Sequence, residues 1–382
     1  MSGGSGPDVR QASSHADDPH EAIAEVAAGL DAADASVVFL FCSARYDRNA
    51  LGRAIARAFA GRPVVACTTA GELSGATGYV AGSVTGASIR SPRLRVATRL
   101  IGPLDGFDAT RSTEIVQTLV DEVATDGLDP ERQFALLLID GLSMQEEAVA
   151  ATLHGSLHGV GLFGGSAGDE MRFEGTAVYH DGAFHEGAAV VAMFDSGHPF
   201  HLFRFQHFEP TDIRMVTTAA DPASRTVHEI DGMPAAEAYA RAVGVDPAEL
   251  DGHVFARHPV MLRVGGEWYV RSIQQALPDG SLTFYCAIDD GLVLALGRGV
   301  DLARSIHESF DRLRETHGEP GFLLACDCIF RRMELTDLDA LEAGSASLRG
   351  LPLIGFNTYG EQFRGLHVNQ TLTGVMLGAD ER

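Results

Sequence analysis

One short pattern occurs three times in the chain, and each copy follows a strand-like apolar segment. The copies are "PVVACTTAGE" at 63–72, "GLFGGSAGD" at 161–169 and "PLIGFNTYGE" at 352–361. Each copy ends with a hydroxyl residue, any residue, a glycine and an acid, running from Thr69 to Glu72, from Ser166 to Asp169 and from Thr358 to Glu361. Glycine permits a tight turn, the hydroxyl can bond a neighbouring amide, and the acid can accept several N–H groups. The sequence therefore predicts three equivalent turns at strand ends.

The segments around these turns predict a mixed α/β fold. Helical patterns at 47–60 and 143–158 lie between buried strand-like runs, and a polar helix precedes the third turn. Short helical crossovers of this kind connect parallel strands. The repeated strand-helix-strand unit predicts two pseudo-symmetric halves, with the boundary at "DSGHP", 195–199.

Composition excludes several classes of function. The net charge of −23 repels nucleic-acid phosphates and anionic membrane surfaces, so neither is expected as a partner. All 29 basic residues are arginine, which rules out a catalytic Schiff-base lysine and a lysine-bearing phosphate loop. No apolar run is long enough to span a bilayer, so no membrane insertion is expected. Residues 1–20 lack the features of a signal peptide and are interpreted as a flexible tail, and the 5 cysteines indicate reduced thiols in the cytoplasm.

Several long motifs resemble the FIST sensory family. They are "ACTTAGEL", "LFGGSAGDE", "GFNTYGEQ" and "LHVNQTLTG", supported by "VTTAADPASRTVHEIDGMPAAEAY" and "YVRSIQQALPDGSLTFYCAIDDG". The resemblance implies an N-terminal domain over 35–195, a C-terminal domain over 200–378, and a small-molecule sensor rather than an enzyme. Similar domains are linked to histidine kinases, cyclic-dinucleotide enzymes or chemoreceptors, and some relatives bind haem and sense nitric oxide. Because this sequence shows no output domain, the expected sensor signals through a separate protein, such as a histidine kinase or a cyclic-dinucleotide enzyme.

The three turns are the predicted ligand site, in a cleft between the two halves. In this hypothesis Glu72 and Glu361 lie near each other and share a cationic or amino-acid-like ligand, whose carboxylate Arg271 holds. The alternative is that the turn residues only stabilise the turns. The predicted ligand-binding residues are Thr69, Glu72, Ser166, Asp169, Arg271, Asn357, Thr358 and Glu361.

Two other functions stay open. "GGSAG" at 164–168 matches the nucleophile elbow of hydrolases at Ser166, but the elbow requires a helix after the serine and the following sequence predicts extended chain. An interaction adaptor without a ligand is the third possibility.

Haem is the cofactor that the resemblance suggests. His367 follows the third acidic turn and is the first choice for an axial ligand, and His207 is the second. His201, Phe203, Phe205 and His207 alternate along a predicted strand, which suits either a flat cofactor or an ordinary sheet face. Cys67, within the first turn, is the thiol whose reactivity the sequence singles out.

Overall fold

The computed structural model describes residues 6–124 and 127–379. Within them the fold is mixed α/β, as the sequence predicts, and it is built from three repeats rather than two halves. Each repeat contains a strand, a helix, a strand, a crossover helix or helix pair, a strand, a two-stranded hairpin and a final strand.

The first repeat spans residues 8–90 and the second spans residues 94–196. The elements of the first are β1 (Asp8–Ser14), α1 (Pro19–Leu30), β2 (Val37–Ser43), α2 (Arg48–Ala58), β3 (Val64–Thr69), β4 (Glu72–Ser74), β5 (Gly78–Val80) and β6 (Val84–Arg90). Those of the second are β7 (Leu94–Ile101), α3 (Ala109–Val123), β8 (Gln133–Ile139), α4 (Glu146–Ser156), β9 (Gly161–Ser166), β10 (Val178–His180), β11 (Ala183–His185) and β12 (Ala189–Ser196).

The third repeat spans residues 200–378 and contains an inserted subdomain at 208–299. The inserted elements are β14 (Phe208–Asp221), β15 (Thr226–Ile230), β16 (Met233–Pro234), α5 (Ala235–Val243), α6 (Gly252–Arg257), β17 (Val260–Val264), β18 (Glu267–Arg271), β19 (Ile273–Ala276), β20 (Leu282–Phe284) and β21 (Val293–Gly299). The repeat itself consists of β13 (Phe200–Gln206), α7 (Leu302–His317), β22 (Pro320–Cys328), α8 (Ile329–Asp337), α9 (Leu341–Leu348), β23 (Leu353–Thr358), β24 (Glu361–Phe363), β25 (Leu366–Val368) and β26 (Thr371–Gly378).

Each repeat forms a six-stranded sheet that takes its last two strands from another repeat. The orders are β1-β6-β2-β3-β10-β11, β7-β12-β8-β9-β24-β25 and β13-β26-β22-β23-β4-β5. Each sheet has one parallel pair, β2 with β3, β8 with β9 and β22 with β23, which the crossover helices connect. The exchange of hairpins joins the three repeats cyclically, and the predicted boundary at 195–199 falls between the second and third repeats.

The central core lies between the three sheets. Strand residues are buried on both faces because one face contacts this core and the other contacts helices. Aromatic rings from all three repeats meet there: Phe39 lies 6.1 Å from Phe194 and 5.9 Å from Phe322, and Phe41 stacks on Phe356 at 4.5 Å. The inserted subdomain has its own apolar core and an eight-stranded sheet.

Two local predictions have clear outcomes. An Asp-Gly pair between two alternating apolar runs predicts a hairpin, and this is confirmed, since β10 and β11 are joined by Asp181 and Gly182, both with positive φ. The flexible tail over 1–20 is wrong for residues 8–14, which form β1 paired along its whole length with β6, while residues 1–5 lie outside the described residues. No helix within residues 6–124 and 127–379 is long and apolar enough to cross a membrane.

Candidate functional site

The turns that end at Glu72 and Glu361 have the same hydrogen-bond pattern. The Thr69 hydroxyl donates to Glu72 Oε1 at 2.5 Å, and the Ser83 backbone N–H and hydroxyl donate to Oε2 at 3.1 and 2.6 Å. Glu361 accepts from the Thr358 hydroxyl at Oε1 and from the Thr371 N–H and hydroxyl at Oε2, at 3.2 and 2.7 Å. Each carboxyl group is therefore held by donors that precede and follow its own hairpin.

Both carboxyl groups are 0% exposed. Burial raises the pKa of Glu72 to about 7 and that of Glu361 to about 8, although their hydroxyl donors act in the opposite direction. No hydrogen bond joins the two groups within the described residues, and β4 and β24 belong to different sheets. These contacts favour the alternative that the residues stabilise their turns.

The glycines of these two turns are required by close contacts as well as by backbone conformation. Gly71 and Gly360 have φ of 145° and 131°. A Cβ at Gly71 would overlap Arg332 Nη1, and one at Gly360 would overlap the His367 ring. Asn357 is also buried: its side chain donates to the Asp327 carbonyl at 3.3 Å and accepts from Arg332 at 3.3 Å, which fixes the turn to α8.

The middle turn differs from the other two. The Asp169 carboxylate accepts from the backbone N–H groups of Phe173, Glu174 and Gly175 at 2.9, 2.7 and 3.0 Å, and from the Tyr359 hydroxyl. Burial raises the pKa of Asp169, but these hydrogen bonds outweigh burial and hold the pKa below its ordinary value. Asp169 is therefore an ionised group that organises the loop at 170–175.

This loop has an unusual backbone. Glu170, Met171 and Phe173 have φ of 60°, 65° and 55°, in the left-handed region that residues other than glycine rarely occupy. Such conformations persist where surrounding contacts impose them, and they concentrate at functional sites. Here the contacts to Asp169 impose them, and the Phe173 ring is left 44% exposed.

Met171 and Phe173 border a cavity of about 120 Å³. It lies where the second repeat, the third repeat and the inserted subdomain meet, and hence between the two predicted domains. Two aromatic pairs line it: Phe173 stacks on Tyr359 with centroids 5.0 Å apart, and Tyr285 lies 5.2 Å from Phe330. We call this space the aromatic cavity.

A buried ion cluster borders the aromatic cavity. Arg225 donates from Nη2 to Glu146 at 2.7 Å and to Glu147 at 2.6 Å, and from Nη1 to the Tyr285 carbonyl at 2.9 Å. Burial raises the pKa of Glu147, but His367 and Arg225 outweigh it and lower that pKa below its ordinary value. Two carboxylates share one guanidinium, so these three groups have a formal charge of −1, which the nearby His367 partly offsets.

Ser166 and Arg271 lie close to His367, outside the aromatic cavity. The Ser166 hydroxyl accepts from Gln362 Nε2 at 2.9 Å, and the same amide lies 3.2 Å from His367 Nδ1. A neutral amide between them cannot act as the base that a serine nucleophile requires. Arg271 donates to the His367 carbonyl at 2.9 Å, and its Nε has no partner within the described residues.

The two histidines predicted to hold haem are not arranged for iron. His207 is 1% exposed, and its nitrogens contact Glu334 at 2.8 Å and Arg331 at 3.3 Å. His367 Nε2 has no hydrogen-bond partner among the residues that the structure describes, but that side of the ring lies against Gly360. Neither histidine borders the aromatic cavity, whose volume of about 120 Å³ is below the roughly 150 Å³ that holds a single benzene ring and is therefore too small for a porphyrin. His207 and His367 are therefore not positioned to ligate haem in the aromatic cavity.

Other metal-ligating side chains give no alternative centre. No group of three or more His, Cys, Asp or Glu among residues 6–124 and 127–379 is arranged to hold a metal ion. Cys67 is fully buried, and burial raises the pKa of its thiol well above the ordinary value, which disfavours the reactive thiolate.

The sequence did not indicate the residues that border the aromatic cavity. Glu146 and Glu147 follow the usual preference for acids in the first turn of a helix, so their pairing with Arg225 has no local signal. Tyr359 occupies the variable position of the repeated pattern. Its position between Thr358 and Gly360 in the third turn is the one sequence signal that could have indicated Tyr359.

Comparisons with known proteins agree with the resemblance. The FIST N domain model matches residues 36–233, and the FIST C domain model matches residues 235–364. No curated protein sequence matches the chain. Among solved structures, the chain is similar to cyanuric acid hydrolase from A. caulinodans at 12% identity, over 50% of this chain and 71% of that chain, with a TM-score of 0.30. A likeness this distant carries no argument about fold or activity. FIST domains are sensory domains that bind small ligands, and the two matched models show that this chain belongs to the FIST family.

Proposed function

We propose that the protein is a sensor that binds a small, flat ligand carrying an amine in the aromatic cavity. The observation that carries this proposal is the combination of two aromatic pairs with an ion cluster of net charge −1 at the junction of three structural units. An amine gains from the carboxylates and from the faces of the aromatic rings.

The volume limits the size of the ligand. An engineered apolar cavity of about 150 Å³ holds benzene, so about 120 Å³ admits at most one small ring unless the lining side chains move. The ligand would act as a signal because the cavity is lined both by Arg225 of the inserted subdomain and by Glu146 of the second repeat. Binding there favours one relative position of the two units, which a separate partner could read. A histidine kinase or a cyclic-dinucleotide enzyme stays a prediction for that partner, and the cytoplasm stays a prediction for the location.

Three probes of similar shape test the proposal. Benzylamine, benzyl alcohol and benzoate share a ring and differ in charge, and thermal shift and calorimetry measure their binding. We expect benzylamine to bind most tightly and benzoate least. Glu146→Gln should reduce the preference for benzylamine over benzyl alcohol, whereas Glu342→Gln, at an exposed carboxylate paired with Arg349, should leave it unchanged. Equal affinities for the three probes, or no binding of any, would contradict the proposal.

Turnover assays with generic ester and amide substrates separate a sensor from a hydrolase. We expect no turnover above the rate measured in buffer without protein. Turnover that Ser166→Ala abolishes would favour the enzyme instead.

A further inference from the structure

A second cavity, of about 370 Å³, lies between β13, α7 and the turn that joins β24 to β25. This volume is within the usual range for small-molecule sites. Its charged and ionisable side chains are mostly basic, although the chain as a whole has a charge of −23. They are Arg204, Arg312, Arg364, His201 and His317, with Glu267 as the one carboxylate among the described lining residues. We call this space the basic cavity.

Glu267 neutralises only one of the three arginines. It accepts from Arg204 Nη2 at 3.0 Å, and the Arg204 guanidinium also lies over the Tyr269 ring at 4.4 Å. Arg312 contacts the Ser309 hydroxyl at 3.3 Å, and Arg364 lies over the Phe363 ring at 5.3 Å. Among the described residues, no carboxylate lies within ion-pair distance of Arg312 or Arg364. The basic cavity therefore has a net charge of about +2 when both histidines are neutral.

Arg364 occupies a position that local backbone preferences do not explain. It is the first residue of the two-residue turn between β24 and β25, with φ of 50°, and Gly365 follows with φ of 78°. Asn, Asp and Gly are preferred at the first position of such turns, and the corresponding hairpin of the second repeat has Asp181 and Gly182 there. An arginine in the left-handed region at this site places a cation at the edge of the basic cavity.

The two histidines add to the basic character. His201 and His317 stack with ring centroids 3.7 Å apart. Burial, together with the positive charges of His317 and Arg364, lowers the pKa of His201. A bound anion would offset this repulsion. His201, Phe203 and Phe205 of the alternating face all line the basic cavity.

From this geometry we propose that the basic cavity binds a small phosphate-bearing anion. Guanidinium groups hold phosphate oxygens through paired hydrogen bonds. The surrounding negative charge of the protein is screened beyond a Debye length of about 8 Å at physiological ionic strength, so the unpaired arginines determine the local potential. The site is separate from the aromatic cavity and does not depend on the function proposed for it.

Calorimetry with inorganic pyrophosphate tests this proposal, with ionic strength held constant by sodium chloride. We expect saturable binding by the wild type and a roughly tenfold or greater loss of affinity in the double variant Arg312→Gln/Arg364→Gln. Arg304→Gln is the matched control, because Arg304 lies on the same helix and is paired with Glu308 at 2.7 Å. It should bind pyrophosphate like the wild type, and all variants should keep the melting curve of the wild type.

Adenosine 5′-diphosphate distinguishes the source of the phosphate. Tighter binding than pyrophosphate would indicate that a nucleoside is recognised as well, and equal binding would indicate recognition of phosphate alone; both support an anion site. The proposal would be overturned if neither pyrophosphate nor adenosine 5′-diphosphate showed saturable binding, or if the double variant bound them with the affinity of the wild type. Benzylamine binding by the double variant gives an independent check that the aromatic cavity is intact.

Discussion

The turns at Glu72 and Glu361 and the turn at Asp169 share one spacing but have different chemistry. In the first two, the carboxyl group is enclosed by hydroxyls of its own repeat and its pKa is raised. In the turn at Asp169, the carboxylate accepts three backbone N–H groups and its pKa is lowered. The aromatic cavity lies beside the turn at Asp169. Within a repeated structure, the copy that departs from the shared hydrogen-bond pattern is the one that organises a candidate site.

The turns at Glu72 and Glu361 also differ from the turn at Asp169 in which residues have positive φ. Gly71 and Gly360 have positive φ and closely approach another side chain, whereas Gly168 is not among the glycines with positive φ. In the middle turn the left-handed residues are instead Glu170, Met171 and Phe173. The longer loop allows side chains to reach the cavity, and Asp169 offsets the cost of its backbone conformation.

The largest expected effect is on the pH dependence of the free energy of unfolding, in which Glu72 and Glu361 should differ from Asp169. Glu72 and Glu361 have folded pKa values raised from 4.5 to about 7 and about 8. Their stabilising contribution is fully present below pH 4.5 and is lost as pH rises through those values, at about 1.4 kcal/mol per unit of pKa difference. The free energy of unfolding of the wild type should therefore fall by several kcal/mol more between pH 5 and 9 than that of Glu72→Gln/Glu361→Gln. Urea unfolding at several pH values measures both slopes.

The control for this experiment is Glu308→Gln, which changes an exposed carboxylate on α7. It should keep the slope of the wild type. Equal slopes for the wild type and the double variant would mean that the two glutamates are ionised in the folded protein, and the contrast with Asp169 would then fail.

A smaller effect is expected from removing Asp169. Asp169→Ala leaves three backbone N–H groups and the Tyr359 hydroxyl without their acceptor, which should lower the free energy of unfolding by about 3 to 5 kcal/mol at pH 7. Benzylamine binding should be lost with the loop conformation. Asp169→Asn should have an intermediate effect, because its side-chain oxygen can accept some of these bonds. A variant with wild-type stability and binding would show that the loop does not depend on Asp169.

The smallest effect is expected at Ser166. Ser166→Ala removes one acceptor of Gln362 Nε2, which still contacts His367. The cost should be about 1 kcal/mol in unfolding by urea, with no change in the affinity for benzylamine. Loss of binding without loss of stability would place Ser166 at the ligand and move the candidate site away from the aromatic cavity.

The sequence by itself predicted much of the local structure. The buried strands, the crossover helices, the Asp181–Gly182 hairpin and the three turns follow from residue spacing and from glycine, because these preferences act between neighbours in the chain. Residue spacing did not predict the strand at residues 8–14. The segment "DVRQASS" is polar and half exposed, and pairing with β6 supplies the hydrogen bonds that make it a strand.

Only the tertiary structure decided which repeat receives each hairpin. The three sheet edges are similar in sequence, so local patterns do not indicate that β4 pairs with β23 or that β24 pairs with β9. The aromatic cavity depends on the same level of structure. Glu146, Arg225 and Tyr359 are distant in sequence, and no local pattern connects them. Their chemistry arises because packing of the inserted subdomain against the repeats brings their charges and rings together.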